Sequence, residues 1–349
     1  MLRFLSIVLI LLLSSCDDSS SLMGDSPENI ESSSWVFVAN EGGWLSPSGT
    51  VSMIGSHGEV IETEVLGSIV QSLCVYNDKL IVSVNNEQKL IVFDIDSSGL
   101  TNMSEVQLDG LSPREMLVVG NVLYVTSWDP DWYVYPYENG FVKVFDLNSF
   151  EVIHTIEAGI MPEGMLYEGG HVWVANSGGS TINKISPNTF AVVETIEVGS
   201  GPQSMIKNNS EIYISRTFYD ENWNTNHGVT KISGYDSPVI QNYGSGVPCA
   251  GSVVSVNNEV YRTLPNNLDD QVMGGIAALN DNLSHDLSRK LGSYEQSNVY
   301  HVEVLDGEIW FAITDYQGIN EVKVISFDGV ETASYQAGIT PGDFAKWTD

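Results

Sequence analysis

A short strand-like motif recurs seven times along this chain. It consists of an apolar residue, an aromatic or aliphatic residue and a second apolar residue, followed by small or polar residues, as in Val36-Phe37-Val38-Ala39-Asn40. The other copies centre on Ile81, Tyr124, Trp173, Tyr213, Tyr261 and Trp310, so that successive centres lie 40 to 49 residues apart. Repetition at this period is typical of units that stack on their neighbours to build one continuous core.

Each repeat continues with the same order of strand segments and turn residues. An alternating strand such as 141–146 is followed by a segment in which Val or Ile is spaced by polar residues, and that segment ends in glycine. In four repeats a proline stands three residues beyond the glycine, at Pro113, Pro162, Pro202 and Pro341. Period-two alternation with Gly and Pro between the segments predicts strands, and no segment past residue 34 has a helical stripe. Four strands per repeat predict an all-β, seven-bladed β-propeller with four antiparallel strands in each blade.

The register of the repeats also predicts how the ring closes. The repeat region, 35–349, begins with the second strand of a blade near Val36 and ends with a first strand at 343–347. Pairing these two strands completes one blade and removes the open edge of the sheet. A set of seven separate domains is excluded, because a lone four-stranded unit of this size is too small to be stable.

The N-terminus resembles the signal of a bacterial lipoprotein. Residues 1–15 contain Arg3 and an apolar stretch from Phe4 to Leu13, and Leu13-Ser14-Ser15-Cys16 is similar to a lipobox. The resemblance implies cleavage before Cys16, lipidation of Cys16 and a Ser-rich tether over 16–34. Asp17 and Asp18 resemble the acidic export tag of lipoproteins in the Bacteroidetes, which implies an outer-membrane protein on the cell surface; the periplasmic side remains the alternative.

The charge of the chain restricts its partners. With 14 basic and 45 acidic residues the formal net charge is -31, which argues against nucleic acid and against an anionic membrane surface. We therefore expect membrane contact only through the lipid anchor, and a monomeric propeller. Cys74 and Cys249 fall in blades that are too far apart for a disulfide, so both are expected as free, mostly buried thiols.

Large aromatic residues concentrate in the loops between the second and third strands of the repeats. In this strand order these loops lie on one face of the ring, where aromatic side chains favour recognition of a planar or apolar ligand. The alternative is that they only hold long loops against the blades. The candidate aromatic residues are Trp44, Trp128, Trp132, Tyr133, Tyr135, Phe218, Trp223 and Tyr316.

Polar residues at equivalent places before the innermost strands should surround the mouth of the central channel. They offer donors and acceptors for the edge of a polar ligand, although they could equally satisfy one another and channel waters. Arg114 and Arg216 are notable because basic residues are scarce, and two arginines could bind a phosphate or a carboxylate. The candidate residues at these places are Arg114, Glu163, Gln203, Tyr300 and His301, and the loop over 216–228 adds Arg216 and His227 as polar candidates.

The sequence does not contain the patterns of the common catalytic and metal sites. No two histidines have zinc-ligand spacing, and neither a Gly-x-Ser-x-Gly elbow nor a phosphate-binding glycine loop occurs. We therefore predict no catalytic residue, no metal site and no cofactor. Calcium at 129–131 or at 220–222 remains an open alternative, because these loops carry hard oxygen ligands.

The repeats resemble the propellers with a Tyr-Val-Thr-Asn strand motif, including YncE-like proteins. Tyr124-Val125-Thr126-Ser127 and Trp173-Val174-Ala175-Asn176 carry the resemblance, together with the Gly-x-x-Pro turns. With the lipoprotein signal, they also resemble the BtuG-like surface propeller lipoproteins of the Bacteroidetes. That resemblance implies capture of a small ligand, such as a corrinoid, and transfer to a TonB-dependent transporter. The alternatives are a protein-interaction platform or adhesin and, less favoured, an extracytoplasmic lyase or quinoprotein-type enzyme.

Overall fold

The structure is a computed structural model that describes residues 33–349, apart from 44–46, 109, 130, 132, 235, 247–251, 265–273, 295–297 and 317–319. In the described part of the chain all regular structure is β-strand, and no helix there is long and apolar enough to cross a bilayer. The 28 strands form seven sheets of four antiparallel strands. The predicted all-β fold with seven blades is confirmed.

The strands follow one another regularly along the chain. Blade 1 begins with β1 (Ser34–Asn40), β2 (Thr50–Gly55) and β3 (Val60–Glu62). Blade 2 contains β4 (Val70–Tyr76), β5 (Lys79–Val84), β6 (Lys89–Asp96) and β7 (Gly99–Gln107). Blade 3 contains β8 (Ser112–Val119), β9 (Val122–Trp128), β10 (Asn139–Asp146) and β11 (Val152–Ile160). Blade 4 contains β12 (Pro162–Glu168), β13 (His171–Asn176), β14 (Thr181–Ser186) and β15 (Ala191–Glu197).

The remaining blades repeat the pattern. Blade 5 contains β16 (Pro202–Asn208), β17 (Glu211–Tyr219), β18 (Thr225–Ser233) and β19 (Val239–Ser245). Blade 6 contains β20 (Val253–Val256), β21 (Glu259–Thr263), β22 (Ile276–Leu279) and β23 (His285–Leu291). Blade 7 contains β24 (Asn298–Leu305), β25 (Glu308–Thr314), β26 (Asn320–Ser326) and β27 (Glu331–Gln336). The last strand, β28 (Pro341–Thr348), returns to blade 1.

The two ends of the repeat region close the ring. Strand β28 pairs with β1 in antiparallel register, from Ser34 opposite Thr348 to Asn40 opposite Pro341. It occupies the innermost place of blade 1, and the innermost strands of neighbouring blades contact one another around the whole circle. The closure predicted from the repeat register is confirmed, and it gives β1 a partner on its inner side.

The recurring motif forms a strand that is buried on both of its faces. In β1, Phe37 packs with Leu80 and Val82 of blade 2, whereas Val38, on the opposite face, packs with Ala312 of blade 7. Since side chains alternate along a strand, a continuous apolar run supplies both interfaces of a blade. The outermost strands, such as β15, are largely exposed, as their polar spacing predicts.

Cys74 lies on β4 as a free, half-buried thiol, in agreement with the prediction. Burial raises the pKa of this thiol to about 12, with a further contribution from the charge of Asp343. Cys249 lies outside the described residues.

Candidate functional site

A cavity of about 1110 Å³ opens where the innermost strands of all seven blades begin. Its wall also includes residues of the loops β1–β2, β9–β10, β13–β14 and β17–β18. Nine of the residues singled out from the sequence line it. They are Arg114, Trp128, Tyr133, Glu163, Gln203, Phe218, Trp223, Tyr300 and His301.

A β-bulge at the start of the inner strands of blades 3, 4 and 5 explains this part of the polar ring. In β12 the pairing register shifts between Pro162 and Met165, and the same shift follows Pro113 and Pro202. Adjacent residues of a regular strand point to opposite faces, but a bulge lets two neighbours face the same way. Consequently both Glu163 and Gly164 line the cavity, as do the equivalent pairs of blades 3 and 5.

An ion pair with an aromatic neighbour forms one side of the cavity floor. Arg114 Nε and Nη2 lie 3.0 and 2.9 Å from Glu163 Oε1. The Arg114 guanidinium lies over the Trp128 ring, 4.3 Å from its centroid. Burial raises the pKa of Glu163, while the charge of Arg114 and hydrogen bonds from Arg114 and Trp128 oppose the rise. Arg114 is therefore largely engaged by the protein itself.

Further carboxyl groups lie near this pair on the cavity floor. Tyr300 Oη donates a hydrogen bond of 2.7 Å to Glu41 Oε1, and burial raises the pKa of Glu41. Burial, reinforced by the charges of Asp343 and Glu163, raises the pKa of Glu115 well above its usual range. Burial also raises the pKa of Asp343 to about 7, although the charge of His301 opposes the rise. A floor of this kind supplies hydrogen-bond acceptors, and burial favours the protonated form of its carboxyl groups.

Aromatic side chains stand at the solvent side of the same cavity. Tyr133 is 69% exposed and Trp223 is 74% exposed, although both line the cavity. The rings of Tyr219 and Trp223 lie 6.0 Å apart at an angle of 52°. Exposed aromatic rings above a polar floor form an amphipathic site, with flat apolar surfaces at the entrance and hydrogen-bonding groups below.

Two predicted aromatic residues lie beside the cavity and two cannot be placed. Tyr135 is 83% exposed, packs edge-on against Tyr137 at 5.8 Å and does not line the cavity. Tyr316 contacts the ring of Tyr300 edge-on at 6.0 Å. Trp44 and Trp132 lie outside the described residues.

The structure differs from the sequence-based expectation at Arg216 and His227. Both were expected on an open loop, but β17 extends to Tyr219 and β18 starts at Thr225, so both residues lie within strands and are buried. Arg216 donates hydrogen bonds to the carbonyl groups of Ser200 and Gln241 and to the side chain of Asn242. Neither residue lines the cavity: Arg216 is held by these acceptors, and His227 accepts a hydrogen bond from Arg262.

Sequence reasoning missed two features of this region. Glu41 follows the strand motif of the first repeat directly, so its place in the repeat could have indicated its role. Arg262 is fully buried beside His227, whose Nδ1 accepts a hydrogen bond of 2.8 Å from Arg262 Nη1. The contact between Arg262 and His227 has no counterpart in the local sequence.

The loop at 220–222, one of the two calcium alternatives, forms its own hydrogen bonds. Asp220 accepts hydrogen bonds from the backbone N–H groups of Asn222 and Asn224 and from the Asn224 side-chain amide. These bonds, led by the Asn224 side chain, lower the pKa of Asp220. This carboxylate therefore shapes the loop that carries Trp223.

Fold and site together define a seven-bladed β-propeller with an aromatic-rimmed, acid-floored cavity at its centre. Residues 35–217, just over half of the 349 residues, match the family described as domain of unknown function (DUF5074), and the chain belongs to this family. No match was found among curated proteins.

Several solved structures share the fold at low sequence identity. A proposed 6-phosphogluconolactonase from Bacteroides fragilis has a TM-score of 0.63 at 12% identity, covering 92% of this chain and 100% of its own. A similar protein from Bacteroides uniformis has a TM-score of 0.60 at 11% identity, covering 90% and 99%. Hydrazine synthase from Kuenenia stuttgartiensis has a TM-score of 0.56 at 16% identity, covering 78% and 88%. At these identities the likeness shows the fold alone.

Proposed function

We propose that this chain is a lipid-anchored binding propeller that captures a small ligand in the central cavity and transfers it to an outer-membrane transporter. The observation that carries the proposal is the combination of exposed aromatic rings and a buried polar floor in one large cavity. A protein that only needed its loops held in place would bury Tyr133 and Trp223 rather than leave them open to solvent.

The cavity favours a ligand of cofactor size. Its volume of about 1110 Å³ lies just above the usual range of small-molecule sites, roughly 300–1,000 Å³. A ligand with a broad flat or apolar part would pack against Trp223 and Tyr133, and its hydrogen-bond donors would meet the carboxyl groups of Glu41 and Glu163. A corrinoid has this combination of size, flat ring and polar amide edge, so it is the first compound to test.

The proposed location depends on the N-terminal sequence. Lipidation of Cys16 would anchor the propeller, and the Ser-rich tether over 16–34 would give it reach from the membrane. Metabolic labelling with a fatty-acid analogue tests the anchor: the wild-type chain should incorporate the label and Cys16→Ser should not. Protease accessibility on intact cells then distinguishes the outer surface from the periplasmic side.

Binding is tested with two aromatic variants and a control from the same loop. Tyr133→Ala and Trp223→Ala should each weaken binding of cyanocobalamin roughly tenfold, since an aromatic contact contributes about 1.5 kcal/mol. Tyr135→Ala changes an equally exposed ring that does not line the cavity, and it should leave affinity unchanged. Isothermal titration calorimetry measures all three, and native mass spectrometry of material from outer membranes identifies a different ligand.

The outcomes separate the proposal from a protein-interaction role. Equal affinity in all variants would show that the aromatic residues support loops and nothing more. An interaction platform would call for one exposed apolar patch, but the exposed pairs are distributed over separate blades: Val60 and Ile61, Val152 and Ile153, Val192 and Val193, and Val239 and Ile240. This distribution favours ligand capture.

A further inference from the structure

Three potential metal ligands converge between the innermost strands of blades 7 and 1. His301 and Glu303 lie on β24 and Asp343 lies on β28. His301 Nε2 is 3.9 Å from Glu303 Oε2 and 3.8 Å from Asp343 Oδ1, and one ligand atom from each residue lies within 4.8 Å of the others. These separations exceed hydrogen-bond length. Two ligands of one tetrahedral zinc ion lie about 3.4 Å apart, so small side-chain shifts suffice for shared coordination.

Neighbouring groups orient two of the three ligands. The backbone N–H of Leu73 donates a hydrogen bond of 2.7 Å to Asp343 Oδ2, which leaves Oδ1 directed toward His301. Ser252 Oγ lies 3.4 Å from His301 Nδ1. His301 Nε2 is buried and has no hydrogen-bond partner among the described residues. Metal-binding histidines are commonly held in this way, with the second ring nitrogen on a neighbouring polar group.

We propose that His301, Glu303 and Asp343 bind a divalent transition-metal ion of the zinc type. An imidazole with two carboxylates suits such an ion, whereas calcium and magnesium prefer oxygen ligands alone. Two carboxylates balance its charge, and the ion relieves repulsion in a floor that also holds Glu115. Because His301 and Asp343 line the cavity, the remaining coordination position faces the cavity and is open to water or to a donor atom of a captured molecule.

The site is tested on the full chain after removal of metals with a chelator. Calorimetric titration with Zn²⁺ should show saturable binding of one ion per chain, and Co²⁺ should give visible absorption bands of a site with nitrogen and oxygen ligands. His301→Ala and Asp343→Asn should abolish this stoichiometric binding, and Ser252→Ala should weaken it roughly tenfold as a positioning residue. His57→Ala is the control, because His57 is exposed in the turn between β2 and β3 and should leave binding intact.

Several results would overturn the inference. They are the absence of saturable Zn²⁺ binding, equal binding in His301→Ala and wild type, and preferential binding of Ca²⁺ or Mg²⁺. Circular dichroism establishes that each variant is folded, and Glu303→Gln, at the least buried of the three ligands, gives a second test if another variant unfolds. Cyanocobalamin binding is measured separately, so that failure of the metal site and failure of ligand capture are distinguishable.

Discussion

Acidification should destabilise this propeller through two buried histidines, His227 and His285. His227 Nδ1 accepts a hydrogen bond from Arg262, and because a guanidinium can only donate, the His227 ring must be neutral. Burial, with the charges of Arg262 and His285, lowers the pKa of His227 to about 3. Burial and the charge of Arg262 lower the pKa of His285 to about 4. Tyr243 packs against both rings, and no described carboxylate forms an ion pair with the cluster.

The sign and size of the effect follow from proton binding. Below pH 6.5 the unfolded chain takes up protons on these histidines while the folded chain does not, so the contribution of the two histidines to stability falls as pH falls. A pH of 5 is about 1.5 units below the pKa of an unfolded histidine. This difference corresponds to about 2 kcal/mol per histidine and about 4 kcal/mol for the pair. Above pH 7 both states are neutral, and the two histidines contribute no pH dependence.

Urea unfolding at pH 7.5 and pH 5.0, followed by tryptophan fluorescence, measures this effect. His227→Asn keeps an acceptor near the position of Nδ1 but cannot take up a proton. Its stability should therefore fall between the two pH values by about 2 kcal/mol less than that of the wild type. His57→Asn, at an exposed position, should behave as the wild type. Equal losses in the wild type and His227→Asn would refute the reasoning, because His227 would then be protonated in the folded state.

Three further perturbations test the packing and closure of the fold. Arg114→Ala leaves Glu163 buried without its cation, and urea denaturation should show a loss of about 3 kcal/mol; an unchanged midpoint would mean that water already solvates Glu163. Removal of 341–349 deprives β1 of its inner partner, and size-exclusion chromatography should show association or unfolding rather than a stable monomer. In a variant with Cys74 as its only cysteine, the native thiol should react with Ellman's reagent about a thousandfold more slowly than the unfolded one, and equal rates would contradict burial of the thiolate.

The propeller and its inner ring were predictable because they repeat. Period-two alternation, the glycine turns and the spacing of the motif copies are local properties, and each occurs seven times. The equivalent places before the innermost strands predicted Glu163, Gln203 and His301 at the channel mouth, and all three line the cavity. A repeat constrains register well, since the same spacing of strands and turns recurs in every blade.

Single residues inside the repeats were less predictable. Arg216 and His227 lie in an aromatic-rich segment that indicates a loop. The strands nevertheless continue through both positions, and both side chains are buried. The extent of a strand beyond its apolar core depends on pairing with its neighbours, and pairing is a property of the whole sheet. The same holds for Arg262, whose partner His227 belongs to a different blade.

The amino-acid sequence by itself determined the number of blades, their strand order and the pairing of the two ends, because these depend on short-range alternation and on a regular repeat. Only the tertiary structure determined which carboxyl groups lie together at the cavity floor. It also placed His301 of blade 7 beside Asp343 of blade 1. Such meetings bring together residues from distant parts of the chain, such as Leu73 and Asp343. Their proximity arises from ring closure, which brings the last strand beside the first repeats. No local sequence pattern indicates it.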